Sequence, residues 1–377
     1  MVRETKARTL HVHSEKSQDH SNDGEDDNKQ NVSFHPHHIT LKTFRNLLSH
    51  YPSTVERVHR GKMTLKLQSK ASKGSKRKAE TKTSAAPTTK AELDPSEEKH
   101  ILEETDKFLQ LDRWRYEALP KIIAERANEN GQKASGPEGA HLLKEELIDI
   151  MEWKTKHGVS RPMLMGMIKS NPVATITKST STAFAALPEV DPVVAPNEAF
   201  PKASLDALTA PIRGVGPATA SLILSIATVF GDAKKQVPFY SDDVYLWLCL
   251  MDFPEGPGSK EQKPSKHKKP NGELIAKYNI NEYRDLWNAS QELRARLNSG
   301  AGEQPGDGLV SFIDIERAAY VLRNIAFSDY YASQDHETGI NIVKDMESAN
   351  SQLPKESKSD SGELGTRRSK RIKQEAK

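Results

Sequence analysis

The sequence predicts an all-α fold: a single helical domain flanked by disordered N- and C-terminal tails. Three observations carry this. Apolar residues recur at helical spacing through several long segments, and no stretch alternates apolar and polar residues as a half-buried strand does. Only 35% of the 377 residues are hydrophobic, short of the ~45–50% of a typical globular chain. Charge is also segregated behind a net value of +3: residues 14–30 carry six acidic and two basic residues, 61–90 nine basic and one acidic, and the last twelve six basic and one acidic. Such blocks repel themselves and favour disorder. Residues 1–91 are therefore expected to be a mostly disordered arm, 92–331 the helical core and 332–377 a disordered basic tail.

Taken in order, "ITLKTFRNLLSHY" (39–51) has apolar residues near helical spacing and reads as one short helix or a recognition segment. The histidines of "HVH" (11–13) and "HPHH" (35–38) lack a carboxylate or cysteine at ligand spacing, which favours a polar loop over a metal site. The core opens at "LDPSEEKHILEETDKFLQLDRWRYEALPKIIAERA" (93–127), with Asp94 as N-cap, Pro95 at the first helical position and Glu97 in the first turn. Ile101, Leu102, Thr105, Phe108, Leu109 and Trp114 then form a stripe. "AHLLKEELIDIMEWKTKHG" (140–158) is a helix ended by Gly158, and "RPMLMGMIKSN" and "PVATITKSTSTAFAAL" are two more, broken at Pro172. Residues 188–202 are a proline-rich connection, and "SLDALTA" (204–210) is a short helix capped by Ser204. Residues 256–272 form a disordered basic loop, with five Lys against one Glu. Residues 280–298 and 311–327 are two amphipathic helices.

The single cysteine, Cys249, excludes an internal disulfide and any multi-thiolate metal or iron–sulfur site, and it suits a reducing compartment. No stretch approaches the ~18 consecutive apolar residues of a membrane span, and the N-terminus has no apolar secretory core. The expectation is a soluble intracellular protein.

"IRGVGPATASLIL" (212–224) holds the chemistry. Gly214 and Gly216 permit backbone angles that a Cβ forbids, and so a sharp reversal. Pro217 suits the first position of a helix, where its missing N–H is no loss. The orphan amides and the positive end of the helix dipole then face outward, where a phosphate oxygen fits. Ala218, Thr219 and Ala220 are small, which lets the following helix (221–230) lie close to the one before. Three readings compete. A Rossmann fingerprint needs a preceding strand and Gly or Ala at its third position, where "DALTAPIR" and Thr219 stand. A plain corner between two helices is the second. The third is a helix-hairpin-helix at 204–230, gripping a nucleic-acid backbone through Gly214, Val215, Gly216 and the amides of Ala218 and Thr219.

Hydrophobic–x–Gly–Val–Gly–x–x–Thr–Ala before an apolar helix resembles the helix-hairpin-helix of the DNA glycosylase superfamily, over about residues 205–250. The resemblance implies a downstream Asp, at the start of the next helix, that stabilises positive charge on the sugar or activates the nucleophile. In "QVPFYSDDVYLWLCLM" (236–251) that position is Asp242, with Asp243 beside it. The resemblance also allows a monovalent cation at the hairpin; no other cofactor is evident. Lyase chemistry implies a lysine two residues after the second glycine, and Ala218 stands there instead. The family's usual Asp–Thr/Pro–His/Asn–Val–x–Arg is replaced by Asp242–Asp243–Val244–Tyr245–Leu246–Trp247, and the four-cysteine cluster of many members is missing. Ser241 or Asp242 is also where an N-cap belongs, and a capping carboxylate stabilises by about 1 kcal/mol without catalysis.

Trp153 and Trp287 have the shape of base-stacking platforms, but both fall on helical apolar stripes and fit core packing better. Lys154, Lys156 and Arg161 follow Trp153 as phosphate contacts or as a solvated face. "KGSKRK" (73–78), with Lys76, Arg77 and Lys78, and "RRSKRIK" (367–373), with Arg367, Arg368, Lys370, Arg371 and Lys373, suit nuclear import or non-specific attraction to DNA. The favoured expectation is a nuclear DNA-associated protein without strong sequence preference. The alternatives are a monofunctional base-excision glycosylase using Asp242, and a scaffold whose hairpin is structural and whose tails bind protein partners.

Overall fold

The computed structural model describes residues 33–75, 94–131, 139–159, 161–194, 199–228, 233–254, 265–269, 273–299 and 308–332. Among these residues the secondary structure is helical, apart from one isolated antiparallel bridge between Lys268 and Leu274. No helix is long and apolar enough to cross a membrane.

The first two helices, α1 (Leu41–Ser49) and α2 (Tyr51–Ser75), belong to the core and not to a disordered arm. Thr40 caps α1 by accepting the Thr43 amide at 3.1 Å. Tyr51, Val55 and Val58 repeat at i, i+4 and i+7 and are buried, as are Phe34, Ile39, Phe44 and Leu47. The segment before α1 is tied down by long-range bonds: Trp247 Nε1 donates to the Phe34 carbonyl at 2.8 Å, and Arg296 donates to the carbonyls of Pro36 and Ile39. The domain therefore starts near residue 33, well before 92. The lysines of 61–90, averaged into the arm, masked the short apolar stripe that precedes them.

Next come α3 (Pro95–Arg113), a π-helical turn at Trp114–Ala118, and α4 (Leu119–Gly131). The α3 start follows the sequence: Asp94 accepts the Ser96 amide, and Glu97 reaches back to the Asp94 amide at 3.3 Å. The single stripe expected over 93–127 is interrupted by the π turn, which directs both Arg115 and Tyr116 inward. Leu102 of that stripe is exposed, while Ile101, Thr105 and Phe108 are buried.

Then follow α5 (Lys144–His157), α6 (Pro162–Lys169), α7 (Val173–Ala185), α8 (Lys202–Thr209), α9 (Pro217–Ala227), α10 (Asp242–Leu248), α11 (Ile280–Asn298) and α12 (Phe312–Arg323). Helix α5 ends at Gly158, and α6 and α7 break at Pro172, as the sequence implies. Helix α8 begins two residues earlier than expected: its N-cap is Pro201, and Ser204 lies buried inside the helix. Helix α9 ends at Ala227, short of 230. Helix α12 is central, in contact with α1, α2, α10 and α11.

A buried polar network knits the N-terminal helices to α12. Asp112 accepts from Trp153 Nε1 at 2.7 Å and from the Tyr51 hydroxyl at 3.1 Å. Glu316 pairs with Arg115 at 2.8 Å and accepts from the Tyr116 hydroxyl at 2.9 Å. The Arg115 guanidinium lies 4.0 Å over Tyr116 and 4.3 Å over Trp153. Trp153 is thus a core residue, and Trp287 is fully buried as well.

Candidate functional site

The seven residues from Ala210 to Gly216 turn the chain from α8 into α9. Only one of the two glycines is required by the backbone. Gly214 has φ +83°, and a Cβ there would lie 3.1 Å from Met167 Cβ and 3.2 Å from Leu164 Cδ1. Gly216 caps α9 in extended backbone (φ −102°, ψ −177°), and no atom lies within 4 Å of where its Cβ would be. Its lack of a side chain serves open approach from outside and not the turn itself.

The amides divide accordingly. Val215 N–H donates to the Ile212 carbonyl, and the Thr219 and Ala220 amides donate to the Gly216 carbonyl. Thr219, expected to offer its amide outward, therefore has it occupied within the turn. The Gly216 and Ala218 amides have no acceptor among the described residues, and Gly216 is exposed. Val215 is buried and anchors the turn from beneath. The carbonyls of Ile212, Arg213 and Gly216 already accept hydrogen bonds.

Sequence reading missed the residue that holds the turn. Asn171, 1% exposed, clamps the Arg213 peptide from both sides: its Oδ1 accepts the Arg213 amide at 2.8 Å and its Nδ2 donates to the Arg213 carbonyl at 3.0 Å. The Nδ2 also ties back to the Met167 and Ile168 carbonyls at the end of α6. No local pattern marks an Asn that acts forty-two residues away.

Sequence reading also missed a charge signal that was legible. No Asp or Glu occurs from Trp153 to Pro188, or from Ala207 to Gly231. These stretches include α6, α7, the turn and α9. Their exposed charges are Arg161, Lys169, Lys178 and Arg213. No acidic residue of these stretches offsets them, and among the described residues Arg161 alone takes a carboxylate from elsewhere in the chain, Glu273. Helix α6 also exposes Met163 and Met167, one helical turn apart.

Asp242 lies at the start of α10 and is not the N-cap. Ser241 takes that role, accepting the Val244 amide at 3.1 Å. Half-buried Asp242 instead accepts from the Tyr278 hydroxyl at 2.9 Å. Tyr278 sits in the left-handed region at φ 52°, a strained backbone for a bulky side chain. The approach to Asp242 is fixed by α9, because the Tyr240 amide donates to Ser221 Oγ at 2.9 Å. Asp243 is buried and pairs with Arg323 at 2.6 Å.

The three expected phosphate contacts part company. Lys156 pairs with Glu152 at 2.7 Å, and Arg161 pairs with Glu273 at 3.2 Å while lying over the Tyr278 ring. Lys154 Nζ lies 4.7 Å from the Phe239 ring centroid. Burial pushes its ammonium down to about 8, against the pull of Asp242.

Several expectations lie outside the described residues: both basic clusters (Lys76, Arg77, Lys78; Arg367, Arg368, Lys370, Arg371, Lys373), the HVH run and most of 256–272. His35, His37 and His38 do cluster, with ring centroids 4.9–5.3 Å apart. Among the described residues, no group of three or more His, Cys, Asp or Glu could hold a metal ion. Comparison with family models, with curated proteins and with solved structures gives no match.

Proposed function

We propose that this protein binds the phosphate backbone of DNA, without strong sequence preference, through a helix-hairpin-helix formed by α8, the 210–216 turn and α9. The carrying observation is the Gly216 position. It joins unpaired amides at a helix N-terminus, open space where a side chain would stand, and the exposed cations Lys169 and Arg213 on stretches of chain without Asp or Glu. Helix N-termini favour anions through the same amides and the dipole, and phosphate contacts of this kind position a protein without reading bases. The basic segments 61–90 and 366–377 add counterion-release affinity, and a nuclear location agrees with them.

The test is fluorescence anisotropy of the full-length chain on duplex DNA across a salt series, comparing wild type with Gly216→Val and Arg213→Glu. The tails are identical in all three, so a difference belongs to the turn. Loss of about one phosphate contact is expected to weaken binding and flatten the salt slope by about 1. Affinity and slope equal to wild type, in variants that melt normally, would make the turn a structural corner.

A second reading is favoured by the Asp242 surroundings: a carboxylate freed from capping, hydrogen-bonded by a strained Tyr278 and acting electrostatically on Lys154. On this reading the protein is a monofunctional base-excision glycosylase, with Asp242 stabilising positive charge on a sugar. Base release from damaged duplex DNA, abolished by Asp242→Asn with affinity retained, would support it.

A further inference from the structure

Helix α11 buries an unusual face. Trp287, Ser290, Gln291 and Arg294 recur at i, i+3, i+4 and i+7, so they share one side of the helix. None is more than 1% exposed. On each, a polar atom lacks a hydrogen-bond partner: Trp287 Nε1, Ser290 Oγ, Gln291 Nε2, and Arg294 Nε and Nη1. Four of these five atoms can only donate, and the serine hydroxyl can also donate. What this face lacks is an acceptor.

It also lacks a counter-charge. Arg294 Nη2 donates to Gln291 Oε1 at 3.0 Å and to the Asp191 carbonyl at 3.3 Å, both neutral oxygens. No carboxylate pairs with it among the described residues, although the Asp191 side chain acts on it from a distance. Arg115, equally buried in the same domain, also has Nε and Nη1 without hydrogen-bond partners, but it has a counter-charge, Glu316 at 2.8 Å. A buried cation without a partner costs several kcal/mol, and burial pulls the Arg294 guanidinium down to about 10.

Packing and hydrogen bonds hold these side chains in place. The guanidinium carbon lies 4.0 Å over the Phe312 ring, and Trp287 packs against the same ring at 6.4 Å between centroids. Gln291 spends its oxygen on Arg294, which fixes the amide with Nε2 as its free end. Asn298, one turn further on, clamps the Pro192 carbonyl and the Val310 backbone over this end of the helix.

We propose that the buried face of α11 from Trp287 to Arg294 is a binding site for a small inorganic oxyanion, of the phosphate or sulfate class. Several acceptor oxygens and a negative charge answer the missing acceptors and the missing counter-charge together, which water answers only in part. The site is separate from the 210–216 turn and does not depend on the DNA reading.

Two measurements on the full-length protein test it. Melting temperature is followed as phosphate or sulfate replaces chloride at constant ionic strength, for wild type, Arg294→Met and Gln291→Leu. Protein purified without either anion is also acid-denatured, and the released anions are identified by ion chromatography. The expected result is either a saturable rise in Tm that both substitutions abolish, or about one equivalent of oxyanion released by wild type and none by Arg294→Met. Arg294→Met removes the uncompensated charge and is expected to fold; Gln291→Leu keeps the charge and serves if it does not. A shift that stays linear in salt and equal across variants, with no anion released, overturns the proposal.

Discussion

The two glycines of the turn make opposite predictions for the same substitution. Gly214→Ala places a Cβ in the left-handed region, at a cost of about 1–2 kcal/mol. It also brings that atom to 3.1 Å from Met167 Cβ, which has no rotamer to escape through, and overpacking of this kind costs about 1–3 kcal/mol. Reduced freedom of the unfolded chain returns about 0.4–1 kcal/mol. The net loss is about 2 kcal/mol, or about 4–8 °C in Tm for a domain of this size. Gly216→Ala meets neither penalty, because its φ of −102° suits any residue and its surroundings are open. Poorer capping by Ala is offset by the entropy gain, and stability is expected to stay within about 0.5 kcal/mol. Urea denaturation of both variants, read by far-UV circular dichroism, compares them directly. Equal losses, or the larger loss at Gly216, would refute the assignment of the sharp reversal to Gly214 alone.

Three further outcomes follow from the packing. His59 lies flat on Phe108, with centroids 4.3 Å apart, and burial pushes it down to about 4. The folded state therefore refuses a proton that the unfolded state takes at about 6.5. Stability present above pH 6.5 is lost as pH falls toward 4, by about 3 kcal/mol when complete; His59→Phe is expected to shrink the drop in urea midpoint between pH 7 and pH 4.5. Glu316→Gln leaves Arg115 a buried charge without its ion-pair partner and should cost about 3–5 kcal/mol in the same assay; a loss under about 1 kcal/mol would mean that the aromatic rings alone hold the guanidinium. Asn171→Ala removes both bonds to the Arg213 peptide and should destabilise by about 2 kcal/mol. It should also weaken DNA binding without altering any charge; full affinity in the folded variant would show that the clamp does not shape the turn.

How far the fold was legible depended on the range of the interaction. The Asp94–Pro95–Glu97 start, the Gly158 stop and the amphipathic 280–298 helix were legible because caps and stripes are local, while the helix expected over 311–327 stops at Arg323 and gives way to a 3-10 turn at Ile325–Phe327. Helix α2 was not, since its apolar stripe covers Tyr51 to Val58 before a lysine-rich run of no visible purpose in the core. The Ser204 cap failed because Pro201 starts α8 earlier and packing draws the serine inside. At the site, Gly214 makes the sharp reversal its residue type implies, whereas Val215, expected at the phosphate contact, is buried with its amide bonded to Ile212, and the same pattern cannot show that Gly216 is not needed for curvature. The Asn171 clamp, the Tyr278–Asp242 bond and the Arg115–Glu316 pair join residues 36 to 201 positions apart. Only the folded chain brings them together.

These distant bonds also explain why the turn and Asp242 form one unit. Helix α9 begins at the turn, and one turn later its Ser221 hydroxyl takes the Tyr240 amide that leads into Asp242. Helix α6 packs its Leu164 and Met167 against Gly214, while Arg161 just before it lies over the ring of Tyr278. Both ends of the candidate site thus rest on the same two helices. A ligand held at the Gly216 amides bears on α9 directly, and any reorientation of α9 reaches Asp242 through a single buried hydrogen bond. The Tyr240 amide and the Ser221 hydroxyl are both buried, so their bond also satisfies two groups that packing alone would leave unpaired.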